Sequence, residues 1–122
     1  VAVSVSSSGT VTSDGTEQTL KADTASGCYE LHVDMILSQA GETVVLRLKE
    51  NVLAAGTVRS IAITTVAGVV TEPSIKVLGP FACDQGVTAT LQRTAGVARA
   101  YPWKLLRVPI WLFAGLLARF LA

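Results

Sequence analysis

Glu30, His32 and Asp34 fall two residues apart in the segment CYELHVD, and they are the one place where the sequence gathers groups able to do chemistry. In an extended strand alternate residues share a face, so carboxylate, imidazole and carboxylate would stand in a row. That donor set suits a divalent metal. Residues two apart on a strand stand about 7 Å apart, however, so one ion would need further ligands from a neighbouring strand. His32 is the only histidine, and a two-histidine site would have to form between subunits. The expectation is a solvated polar face, with Glu30, His32 and Asp34 a marginal metal candidate and no resident cofactor.

Other chemistry finds less support. Serines and threonines are plentiful, but none sits in a GxSxG-like elbow, and no nucleophile is evident beside His32. The glycines are scattered turn formers and build no phosphate-cradling loop. Aromatic residues make up 6% of the chain, thin for a sugar-stacking platform. No CxxC or Cys/His cluster points to metal or redox work. Cys28 and Cys83 are expected as two separate buried thiols; as a disulfide they would contribute about 4 kcal/mol. Net charge is +1, which gives no electrostatic footprint for nucleic acid. The chain is not expected to be an enzyme.

The elements that would hold these residues read as strands. Residues 1–6 alternate apolar and polar, followed by turns around Ser8-Gly9 and Ser13-Asp14-Gly15. GTEQTLKADT is a short polar strand. In CYELHVDMIL, Tyr29, Leu31, Val33 and Met35 share one face. TVVLRLKENV places Val44, Leu46 and Leu48 inward, and VRSIAITTVAG places Ile61 and Ile63 inward. PSIKVLGP, bounded by Pro73 and Pro80, suits a sheet edge. VTATLQRT turns Val87, Ala89 and Leu91 inward, and VARAYPWKLLRV is a last strand interrupted at Pro102. About eight short strands separated by frequent turns predict an all-β domain over residues 1–108. The expected form is a β-sandwich of jelly-roll type, because alternating strands need a second sheet against their apolar face.

Residues 109–122, PIWLFAGLLARFLA, then change the pattern. Arg119 is the one charge, and apolar residues point in nearly every direction of a helix, with Pro109 in its first turn. The segment predicts a C-terminal apolar helix about 20 Å long. It is too short to span a bilayer, which takes about 20 apolar residues, and has too few cations to lie on one. Trp103, Trp111, Leu112, Phe113, Leu116, Leu117, Phe120 and Leu121 are therefore the candidate protein-docking residues. Composition agrees: hydrophobic residues are 50% of the chain, charged residues 16%, and mean hydropathy is +0.50, so part of the surface is expected to meet protein.

From GTEQTL through HVDMILSQAGETVVLRLKENVLAAGTVR to LQRTAGVARAYPWKLLRV, the sequence resembles small structural proteins of tailed bacteriophages. The resemblance rests on His32-Val33-Asp34, Gly41-Glu42, Val45-Leu46-Arg47-Leu48, and a closing set of Gln92, Gly96, Arg99, Tyr101, Pro102 and Trp103. It covers roughly residues 15–108 and not the apolar tail. It implies a virion component without enzymatic activity. That component would be a decoration or cement protein, a homo-oligomer (a trimer in the first instance) seated on the major capsid protein or another virion protein. A tail or head-fibre base, a minor capsid subunit, and a secreted carbohydrate- or surface-binding module are the alternatives.

Overall fold

A computed structural model describes residues 3–109, all of whose regular structure is β. The strands are β1 (Ser4–Thr12), β2 (Gln18–Asp23), β3 (Gly27–Asp34), β4 (Thr43–Glu50), β5 (Arg59–Ala67), β6 (Ile75–Cys83), β7 (Val87–Ala95) and β8 (Ala100–Val108). They form two four-stranded antiparallel sheets, in the orders β1-β8-β3-β6 and β2-β7-β4-β5. Four of the pairs are nested: β4 with β5, β3 with β6, β2 with β7 and β1 with β8. The chain is thus one long hairpin with its tip at β4–β5, wrapped so that along each arm successive strands lie in opposite sheets. The β8–β3 and β7–β4 pairs then close each sheet. The expected C-terminal helix, with Trp111, Leu112, Phe113, Leu116, Leu117, Phe120 and Leu121, lies outside the described residues.

The core follows from period-2 patterning. Tyr29, Leu31, Val33 and Leu105 of one sheet meet Val44, Leu46, Leu48, Ala89 and Leu91 of the other, all at most 1% exposed. β3 alternates buried and half-buried residues along its whole length. Met35 continues the buried row beyond the strand end.

Four local expectations are corrected. Ser8-Gly9 is no turn; β1 runs through it, and Gly9 lies opposite Trp103, beside the indole. Ile63 faces out at 59% exposure, while Ile61 and Ala62 both pack on the core. The cause is a bulge: Lys49 pairs with Ser60 and Leu48 with Ala62, so Ile61 is an extra residue that reverses the faces beyond it. β6 is an edge strand, as its prolines suggest, but continues through Pro80 to Cys83. Tyr29 pairs with Phe81 and Leu31 with Leu78, so Pro80 sits in a bulge where a missing N–H interrupts no regular ladder. β8 likewise passes through Pro102 without a break. Its pairing to β3 ends at Val33–Trp103, leaving Pro102 beside β1 alone.

Candidate functional site

β3 lies between β8 and β6, so its outward residues form the centre of an exposed sheet face. Glu30, His32 and Asp34 all stand there, half-buried, as alternation requires. His32 is opposite Lys104 of β8 and Val77 of β6; Glu30 is opposite Leu106; Asp34 is opposite Ile75. Ile75 and Val77 are 55% and 50% exposed. The face therefore combines a charged centre with apolar margins.

The three polar groups do not converge. Glu30 Oε1 pairs with His32 Nε2. Asp34 turns the other way, its Oδ1 accepting from the Ile36 N–H (3.0 Å) and from Ser74 Oγ (3.0 Å). It thereby ties the end of β3 to the residue before β6. Among the described residues, no three His, Cys, Asp or Glu side chains gather as a metal would require. What His32 and Asp34 do share is a shallow depression of about 380 Å³ with Ser8, Thr10, Pro102 and Lys104. Alternation along β8 puts Lys104 outward, but its position beside His32 depends on a strand pairing across most of the chain.

Trp103, the one docking candidate within the described residues, faces inward and packs half-buried on the core. Cys28 and Cys83 are separate thiols. Cys28 pairs with Ala82 and Gly27 with Cys83, so the two side chains leave opposite faces of the sheet.

The two ends of the sandwich are built differently. At one end, where β3 finishes and β8 starts, polar groups lock the loops. Arg99 Nε donates to both carboxylate oxygens of Glu42 (3.1 and 3.0 Å), and the Gln39 N–H donates to Oε1 (2.7 Å). The Ser13 N–H donates to the Arg99 carbonyl (2.8 Å), and the Arg99 N–H donates to Ser13 Oγ (3.0 Å). Gly96, with φ of +92°, packs so closely on Glu42 that a Cβ would lie 2.5 Å from its Cγ. Gln92, on the outer face of β7, bridges Arg47 and the carbonyl of Gly15. Sequence reasoning singled out Gln92, Gly96, Arg99 and Tyr101 as a motif but did not see that Gly96 and Arg99 close on Glu42 as a clasp.

At the opposite end, strand directions bring together the start of β3, the β4–β5 loop and the exit of β8. The loop exposes Val52 (75%), Leu53 (73%) and Val58 (49%). Next to the β8 exit, Val3, Cys28, Pro80, Leu106 and Val108 line an apolar groove of about 180 Å³. The chain matches no protein-family model, no curated protein and no solved structure.

Proposed function

We propose that this chain is a structural protein of a tailed-bacteriophage virion, a decoration or cement protein that sits as a homo-oligomer, a trimer in the first instance, on the major capsid protein. The observation that carries the reading is the apolar surface at the end of the sandwich from which β8 hands over to the apolar segment 109–122. The end that β8 leaves exposes Val52, Leu53 and Val58 and carries no clasp, whereas Ile36, Leu37, Val69 and Val97 at the other end are exposed around the Glu42–Arg99 clasp. Exposed apolar surface at the point where an apolar segment leaves a small β-domain makes that end a docking end. The nested strand order is that of a jelly roll, an architecture of viral capsid and lectin domains. Fold alone carries no function, so the weight rests on the docking end and on the resemblance of the clasp residues.

In this reading the sandwich is a rigid outer body and residues 109–122 form an apolar docking helix. Full burial of one Leu or Phe is worth about 1.5–3 kcal/mol before the costs of association. Leu112, Phe113, Leu116, Leu117, Phe120 and Leu121 thus supply most of the holding energy, multiplied by avidity over many copies. The depression beside His32 plays no catalytic part.

Quantitative mass spectrometry of purified particles, with full-length chain and with a chain ending at Val108, tests the proposal. Hundreds of full-length copies per particle and loss of the truncated form, still folded by circular dichroism, are expected. A handful of copies would instead indicate a fibre base. Absence from particles, or wild-type occupancy by the truncated chain, would overturn the decoration reading.

A further inference from the structure

The geometry points to the occupant of the apolar groove at the β8 exit: residues 110–122 of a second copy of this chain, so that the protomers are joined by exchanged C-terminal arms. This rests on the reading of the tail as an apolar docking helix and specifies where it docks. The groove is walled by Val3, Cys28, Pro80, Leu106 and Val108, with Glu30 and Arg107 at its border. Its volume of about 180 Å³ falls short of the roughly 300–1,000 Å³ of small-molecule pockets. It suits individual apolar side chains presented by a helix.

The connection between β8 and the tail argues for a second copy over the chain's own groove. Val108 ends β8 and itself lines the groove, so a fold-back would have to reverse the chain at once. Tight reversals draw on Gly, Asn, Asp or Pro; the one such residue between Leu105 and Trp111 is Pro109, which holds Val108 extended and carries the chain onward along β8. The sequence there is Leu105-Leu106-Arg107-Val108-Pro109-Ile110-Trp111, and the first glycine is Gly115. A hinge too short to reverse sends an arm into a neighbour. Seating each tail in a neighbour's groove closes either reciprocally, as a two-fold dimer, or cyclically, as a trimer. A helix of thirteen residues, about 20 Å long, is long enough to cross the whole four-stranded face, whose strands lie about 4.8 Å apart.

Cys28 in the groove is a built-in reporter. Leu112→Cys, Phe113→Cys, Leu116→Cys and Leu117→Cys are made singly in the full chain, each also with Cys28→Ser, and the purified proteins are oxidised mildly without particles. The expected result is an interchain disulfide, read as covalent dimers and larger species on a non-reducing gel, at one or more positions and lost with Cys28→Ser. Light scattering should give an oligomer for the unmodified full chain and a monomer for a chain ending at Pro109. An intrachain bond to Cys28, tail-to-tail dimers that survive Cys28→Ser, no bond at any position in folded protein, or a truncated chain that stays oligomeric would each overturn the inference. Particle binding is measured separately, so either reading can fail while the other stands.

Discussion

Arg99 grips Glu42 by a single nitrogen shared between both carboxylate oxygens, at 3.1 and 3.0 Å, and Glu42 is only 4% exposed. The pair joins the loop before β4 to the loop before β8, so it fixes two elements far apart in sequence but adjacent in space. A carboxylate this buried is kept charged because its oxygens also accept the Gln39 N–H. The motif residues around it therefore hold the sandwich shut, a structural task.

Removing both partners should cost less than the sum of removing each. Arg99→Met leaves a buried carboxylate without its cation, and Glu42→Gln leaves a guanidinium facing an amide. Thermal unfolding should show the larger drop for Arg99→Met. The double variant should recover part of the sum, a coupling that a double-mutant cycle measures. Strict additivity of the two losses would show that the pair contributes nothing as a pair.

Gly96 has no freedom to change. Its φ of +92° disfavours any side chain, and an added Cβ would meet Glu42 Cα at 2.9 Å and Cγ at 2.5 Å. Gly96→Ala should therefore lose at least about 1–3 kcal/mol from backbone strain alone. Urea unfolding reads this directly, and an unchanged midpoint would contradict the described packing.

Acid should loosen the fold in a defined direction. Glu42 is held below the usual carboxyl range: burial works to raise it, but the Gln39 N–H and the Arg99 guanidinium outweigh burial. Glu17 is lowered by hydrogen bonds from Lys49 and Thr90, and Asp14 by the backbone and hydroxyl of Thr16. In Asp23, burial is likewise overcome, by the Ser6 hydroxyl and the Ala25 N–H. With folded pKa values depressed, the unfolded chain binds protons first as pH falls. The stabilisation is complete above the ordinary carboxyl range and is lost as pH drops below about 4. Urea midpoints should hold from neutrality to mild acid and then fall. A midpoint that rises on acidification would reverse the assigned signs.

The alternating strands were legible because a buried face imposes period 2, and β3 obeys it from Gly27 to Asp34. Ile63 was misread because the reversal arises where Ile61 has no partner between Ser60 and Ala62, a feature of strand pairing that β5 alone does not display. Pro102 was misread for a similar reason, since only the point at which β3 stops pairing makes a proline tolerable there. The outward row of Glu30, His32 and Asp34 was visible, but Lys104 and Val77 beside His32 depend on long-range register. The faces of β5 give a direct check. Ile63→Thr should shift stability by no more than about 0.5 kcal/mol. Leu46→Ala, in the shared core, should cost about 2–5 kcal/mol. Equal losses would mean that Ile63 is buried.

The two cysteines should differ sharply in reactivity. Cys28 is half-exposed in the groove, whereas Cys83 is 1% exposed on the inner face. Burial, assisted by the Glu50 carboxylate nearby, pushes the Cys83 thiol up to about 12. Because the thiolate is the reacting species, Cys83 should stay inert at mildly alkaline pH in the folded protein. A chromogenic disulfide reagent should titrate one thiol promptly and the second only on unfolding, and Cys28→Ser should abolish the prompt phase. A tail seated in the groove should slow that phase, and ending the chain at Pro109 should restore it. Two thiols of equal rate in folded protein would contradict the opposite facing of the two side chains.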